Sequence, residues 1–443
     1  MNERVSVIGG GLAGVEAAWA LANRGIDVDL FEMKGVRFSP AHRSENLAEL
    51  VCSNSLKAKR LETAAGLLKS EMRLFGSLCM QAADACEVPA GGALAVDRDA
   101  FSAYITEKIN AHARITVHRR EVTEIPDCPV IVAAGPLASE ALSAEIRRIC
   151  GAGLSFYDAA APIVTKESLD FDCCFTQSRY ERGGEDDYIN CPMNKAEYEA
   201  FYDAIMTAER AELHTFDERK DVYEGCMPIE AMAARGKDTM RYGPLKPVGL
   251  RDPRTGHRPW AVLQLRKENR QGTLLNLVGF QTNLKFSEQK RVFSMIPALK
   301  NAEFMRYGVM HRNTFLDSPR LLNADYSFRK RETLFFAGQI TGVEGYMESA
   351  SSGILAGVNM ARRLNGKAAL RLPVTTMMGA LCGYISDESV KHFQPMGANF
   401  GILPPLPEKI RDKKLRYAAL AARGLEDMKQ ALMKEGECFG NGI

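Results

Sequence analysis

The sequence predicts an α/β protein, doubly wound about a parallel sheet and interrupted by a smaller inserted α+β domain. Three observations carry that expectation. A strand–glycine turn–helix–strand unit opens the chain, an apolar strand ending in Ala337-Gly338 returns late, and the stretch between them changes character after Pro162. At 443 residues there is room for two or three domains, and 46% hydrophobic with 25% charged residues is an ordinary globular balance.

Val5-Ser6-Val7-Ile8 reads as a short buried strand, Gly9 to Gly14 follows at once, and Val15 to Ala22 has helix-forming composition with Gly25 as a stop. Ile26 to Phe31 is a second strand, ending on Glu32. This is Gly9-x-Gly11-x-x-Gly14 in the context that a dinucleotide fingerprint requires. Gly9 permits the tight turn, Gly11 lets backbone N–H groups approach a pyrophosphate, and Gly14 allows close helix–strand packing. Gly10, Leu12 and Ala13 complete the turn, and the helix N-terminus brings about half a positive charge to the phosphates. Glu32 lies 18 positions after Gly14, where an acid accepts hydrogen bonds from a ribose.

The late segment favours FAD over NAD as the dinucleotide. Thr333 to Phe336 runs into Ala337-Gly338-Gln339, then Gly342, Gly345 and a small-residue helix from Ser349 to Ala361. Such a strand and glycine turn resembles the segment closing over the ribityl end in two-part FAD folds. An ordinary βα turn is the alternative. The expectation is thus a Rossmann-like FAD-binding domain in two parts, residues 1–161 and 326–443, around an insertion at 162–325.

Within the first part, Arg37 to Ser55 reads as a loop on the ribose side. Thr63 to Ala85 reads as one long helix, Asp97 to Ala111 as another, and Ile115 to Val122 and Pro129 to Val132 as strands. In the insertion, short strands such as Tyr188 to Cys191 and Ala261 to Leu265 alternate with polar loops, and Lys195 to Arg210 reads as a helix. The tail is expected to be helical, with a breaker at Gly401 to Pro407 and a basic helix from Lys409 to Arg416.

No apolar run approaches the roughly 20 residues of a membrane span, and no charged-then-apolar leader precedes the first strand. The 11 cysteines are odd in number and irregularly spaced, which argues against a disulfide framework or metal knuckles and fits a reducing cytoplasm. The 7 histidines form no metal-ligand spacing, so no metal is expected. Net charge is only +2, but Lys246 to Arg331 holds 17 Lys or Arg against 6 Asp or Glu. That excess suggests a basic face for a polyanion; charges pointing several ways after folding are the alternative.

Cysteine is the most reactive candidate. Cys52, in Leu50 to Ser55, and Cys226, in Tyr223 to Pro228, are flanked by turn residues, and Lys57, Lys59 and Arg60 follow Cys52 closely. A thiolate is a strong nucleophile when cations favour it, although a small buried hydrophobe is the usual fate of a cysteine. His311 lies in the basic segment, suited to stacking or phosphate binding, or to a structural role.

The chain resembles, essentially end to end, the folate- and FAD-dependent tRNA (uracil-54-C5)-methyltransferases, the TrmFO family, relatives of the glucose-inhibited division flavoproteins. The carrying strings include Val51-Cys52-Ser53-Asn54-Ser55, Val88 to Arg98, Asn190-Cys191-Pro192-Met193, Gly243 to Leu250, Gly279-Phe280-Gln281-Thr282, Tyr307 to Thr314 and Gly342 to Tyr346. The resemblance implies FAD, 5,10-methylenetetrahydrofolate as one-carbon donor, NADH or NADPH as reductant, and a uridine of the tRNA T-arm as target. Cys52 and Cys226 match the family's two functional cysteines, sharing nucleophilic activation and proton handling without a decision as to which does which. His311 is implied to stack on the pterin; Arg312, Lys246 and Lys285 are expected to meet substrate. No stable protein partner is expected. Rival readings are the same chemistry on ribosomal RNA, a small-molecule flavin oxidase or monooxygenase, and a non-enzymatic RNA-binding flavoprotein.

Overall fold

The computed structural model describes residues 4–39, 41–151, 154–159, 161–181, 187–211, 227–269, 272–308, 310–390 and 393–437. Strand Arg4–Ile8 is buried from Val5 onward, as an apolar run covered on both faces of a parallel sheet must be. It pairs in parallel with Asp27–Glu32 on one side and Val130–Val132 on the other. Ile115–Arg119 extends the sheet beyond Asp27–Glu32, and Arg331–Phe336 lies parallel beside Val130–Val132. Ser327–Phe328 adds an antiparallel edge. The late strand therefore sits two places from the first one, as a two-part dinucleotide fold requires.

Two helices lock that arrangement. Leu12–Ala22 follows the glycine turn and packs along Tyr346–Leu364. A Cβ on Gly353 would stand 2.1 Å from the Ala13 carbonyl oxygen, and one on Gly357 2.6 Å from that of Ala17. Only glycine permits this approach. The same seam brings Gly338, at φ 86°, against Ala13, where an added Cβ would lie 3.0 Å from the Ala13 Cβ.

The middle of the chain builds a second sheet, antiparallel throughout, in the order Phe175–Thr176, Tyr188–Met193, Ala261–Lys267, Leu274–Leu277, Ile163–Thr165, Phe304–Arg306. Its hydrophobic cluster runs from Val164 to Ala302, whereas Phe315, Leu316 and Leu322 belong to the cluster under the parallel sheet. Leu154–Ala159 and Met310–Phe315 pair antiparallel, the outgoing and returning strands of the connection.

Two elements differ from the sequence expectation. The long helix over Thr63 to Ala85 is two helices, Ala64–Leu74 and Leu78–Ala85. Gly76 takes φ 67°, which ends the first, and Ser77 caps the second by accepting from the Met80 N–H at 3.1 Å. The buried Glu16 carboxylate reinforces the break, accepting from the Cys79 N–H at 2.9 Å and from the Ser77 hydroxyl. The basic helix begins at Lys413, where Asp412 caps Leu415, so Lys409 to Arg411 precede it. Among the described residues no helix is long and apolar enough to cross a membrane.

If the glycine seam is what joins the two halves of the parallel sheet's cover, Gly353→Val forces the helices apart. We expect a loss of about 3 kcal/mol in stability, the upper end for overpacking, measured by denaturant unfolding, with weaker retention of dinucleotide. Unchanged stability would show that the seam is slack.

Candidate active site

The carboxyl end of the parallel sheet opens into a cleft enclosing about 1070 Å³, part of it open to solvent. Gly9, Gly11, Leu12, Ala13 and Glu32 line one side; Gly338, Gln339, Tyr346 and Ser349 line another. This is where ligands bind in open α/β sheets. A Cβ on Gly11 would meet nothing within 4 Å, so its open side faces the cleft. The helix behind it has neither a capping side chain nor an acidic residue in its first turn, which leaves its amide donors for an anion. Gly14 packs inward, its would-be Cβ 1.7 Å from the Gly9 carbonyl oxygen.

Glu32 is buried, and its two oxygens accept from the backbone N–H groups of Gly10 at 2.7 Å and Lys34 at 2.8 Å. An ionised carboxylate has about four lone-pair sites, so capacity remains for ribose hydroxyls. Gly338 donates its N–H to the Ser352 hydroxyl at 2.7 Å, and the Gln339 amide donates to Glu344 at 2.7 Å. These residues fit a dinucleotide: open glycine amides at one point, an acid at the ribose position, and a second fixed turn opposite.

Cys52 is half-buried beside Val51, which forms part of the cleft wall. Tyr346 Oη accepts from the N–H groups of Cys52 at 2.8 Å and Ser53 at 3.2 Å, and donates to Cys52 Sγ at 3.1 Å. Both lone pairs of the phenol are thereby used, so its proton is directed at sulfur. Burial, then the neighbouring Cys52, pushes the Tyr346 phenol well above its ordinary value, which keeps it a donor.

Three guanidiniums hold this segment. Arg98 Nη1 donates to the Leu50 carbonyl at 2.8 Å, Arg306 Nη2 to the Val51 carbonyl at 2.6 Å, and Arg266 Nη2 to Asn54 Oδ1 at 2.9 Å. Arg98 also pairs with Glu268, both largely buried. Burial works to depress Arg98, but Glu268, Tyr346 and Cys52 outweigh it and hold the cation above its ordinary value. Arg306 is lowered by burial, then by the nearby Arg98 and Arg43 cations.

Lys246 lines a second cleft beside Trp260, sharing no lining residue with the first. Lys285 is half-exposed and ion-paired with Glu209 at 2.7 Å. His311 and Arg312 occupy the returning strand, in register with Asp158 and Tyr157, and their side chains lie outside the described residues. Cys226 lies outside the described residues as well. Among the described residues no metal-binding cluster forms.

The family model described as glucose inhibited division protein A matches residues 4–368. A methylenetetrahydrofolate–tRNA-(uracil-5-)-methyltransferase TrmFO from Enterococcus faecalis is 56% identical over 98% of this chain and 99% of that protein. The protein of the same name from Heliobacterium modesticaldum is 58% identical over 96% of this chain and 97% of its own length. The chain belongs to the TrmFO family. The fold agrees: an Aquifex aeolicus GidA structure superposes with TM-score 0.69 at 18% identity, over 98% of this chain and 79% of that one.

Within this TrmFO-family chain, Tyr346, Arg98, Arg306 and Asn54 escaped assignment from sequence. Three of them stand inside strings that carried the resemblance, Val51 to Ser55, Val88 to Arg98 and Gly342 to Tyr346, which was the available signal. Removing the phenol proton from sulfur should expose its role. Tyr346→Phe is expected to slow alkylation of Cys52 at neutral pH about ten-fold, the worth of one hydrogen bond to a charged acceptor, followed by mass spectrometry of the labelled peptide. An unchanged rate would remove Tyr346 from the thiol's support.

Proposed function

We propose that the protein is a methylenetetrahydrofolate- and FAD-dependent tRNA (uracil-C5) methyltransferase that makes 5-methyluridine at position 54 of the T-loop. The observation that carries the reading is a half-buried thiol, Cys52, hydrogen-bonded by Tyr346, itself part of the wall of a dinucleotide cleft. The printed names of full-length relatives at 56% and 58% identity support it. FAD would lie between the Gly9 to Gly14 turn with Glu32 and the Gly338-Gln339 turn. When bound, it would supply two-electron redox chemistry, with NADH or NADPH the reductant for bringing the one-carbon unit from methylene to methyl level.

Uracil C5 is a poor nucleophile. A thiolate forming an S–C6 bond drives the ring's electron pair toward C5, where the one-carbon unit is accepted. Loss of the C5 proton and departure of the carrier nitrogen leave an exocyclic methylene at C5. A hydride equivalent from the nicotinamide reductant adds to that carbon as the S–C6 bond breaks, giving 5-methyluracil with its C5=C6 double bond and the free thiolate. Cys52 and Cys226 divide the addition and the proton transfer between them. The Tyr346 proton favours charge on Cys52 sulfur, and Arg98 adds a buried positive charge nearby. His311 and Arg312 are proposed to position folate, and Lys246 and Lys285 to meet tRNA phosphates. None of the nine cysteines among the described residues is in a disulfide, which suits work on tRNA in a reducing compartment.

The purified protein should be yellow and should transfer label to tRNA from methylenetetrahydrofolate when NAD(P)H is supplied. Label arriving from S-adenosylmethionine, or reaching ribosomal RNA alone, contradicts the proposal. Cys52→Ala and Cys226→Ala should each abolish transfer while FAD stays bound, read by absorbance and by nucleoside analysis. Full activity in both variants would end the nucleophile assignment.

A further inference from the structure

Beside the thiol segment, the rings of Phe304 and Tyr307 stack at 5.4 Å and 8°. Phe286 extends that stack, its ring 5.0 Å from Tyr307 at 14°. Three near-parallel aromatic rings thus form a ladder from the inserted sheet to the surface. Its outer member, Phe286, is 54% exposed, and Met305 beside the ladder on strand Phe304–Arg306 is 59% exposed. Exposure alone does not set Phe286 apart, since Phe38 and Phe171 are exposed as well; its ring differs in being held in a near-parallel stack.

The ladder is held rigidly. Gln289 is fully buried; its Nε2 donates to the carbonyls of Leu284 at 2.7 Å and Gly308 at 2.8 Å, and its Oε1 accepts from the Gly308 N–H at 2.8 Å. That amide ties the start of helix Phe286–Phe293 to the residue after Tyr307, which fixes the face-to-face register of the two rings. Strand Phe304–Arg306 also supplies Arg306, whose Nη2 grips the carbonyl of Val51 next to Cys52. Partly buried Phe304 thus stands on the strand whose Arg306 supports the thiol segment, and the exposed ring of Phe286 is joined to it through Tyr307.

We infer that Phe286, Tyr307 and Phe304 are a stacking platform for an unpaired nucleobase of the substrate RNA, taken up next to the uridine being modified. The inference rests on the RNA-modifying reading and adds the residues that engage the loop. Enzymes that modify a base in a structured RNA must unstack it, and a flat aromatic face replaces the lost stacking without demanding a sequence. The segment from Lys246 to Arg331 carries a sequence excess of cations that suits a polyanion, and Lys285, immediately before Phe286, is ion-paired with Glu209 at 2.7 Å.

The test uses the full-length flavin-loaded protein and a T-arm transcript. Phe286→Ala should weaken RNA binding about ten-fold in filter binding, with flavin content and KM for methylenetetrahydrofolate unchanged. Phe286→Leu should behave like Phe286→Ala, whereas Phe286→Trp should restore binding and show indole fluorescence quenched by RNA beyond that of the parent. Wild-type affinity in Phe286→Ala, rescue by Leu as fully as by Trp, or a raised KM for folate in place of weakened RNA binding would each overturn the platform. Wild-type protein that binds no RNA would instead overturn the RNA-modifying reading itself.

Discussion

The contact between helices Leu12–Ala22 and Tyr346–Leu364 is the constraint on which the remaining geometry depends. Gly353 and Gly357 bring one backbone onto the carbonyls of Ala13 and Ala17, closer than any other residue allows. A helix is stiff over a few turns, so fixing its middle fixes its first residue. That residue is Tyr346, whose hydroxyl holds Cys52. One interface therefore sets three positions together: the Gly9 to Gly14 turn, the late turn at Gly338, and the thiol. Distant parts of the chain, from Gly9 to Tyr346, act as one wall.

The thiol segment has little regular structure of its own, yet it is not loosely held. Its carbonyls and the Asn54 side chain take guanidinium donors from Arg98, Arg306 and Arg266. Buried cations are costly unless each is hydrogen-bonded or paired. Here the donors of Arg98 and Arg306 go to backbone oxygens, those of Arg266 to the Asn54 and Ser53 side chains, and Arg98 also pairs with Glu268. Asn54 also donates to the carbonyls of Val96 at 3.0 Å and Lys267 at 2.9 Å, which ties the segment to strand Ala93–Val96 and to the antiparallel sheet. Positive charge is thus concentrated around Cys52 by residues whose first duty is to shape the loop.

What could be read from sequence was whatever rests on local chemistry. The Gly9 to Gly14 turn, Glu32 at the end of its strand, and the strand before Gly338 are each specified by neighbouring residues, and all three lie where the pattern put them. The surroundings of Cys52 are different. They are assembled from residues 98, 266, 268, 306 and 346, brought together only by folding, and no periodicity marks them. The break at Gly76 was hidden because the apolar spacing continues through it; a left-handed glycine and the cap at Ser77 decide it. The basic excess also read too simply. Arg266 and Arg306 turn inward to hold the loop, while Lys285 and Arg291 are paired with Glu209 and Glu288.

The most direct test of this common wall is a crystal structure of the flavin-loaded protein. The expected result is pyrophosphate against the amides of Gly11 to Ala13, the ring system bounded by Val51 and Tyr346, and Cys52 sulfur still bonded to the phenol. A flavin whose ring points away from Val51 and Tyr346, or a dinucleotide bound outside this cleft, would contradict it.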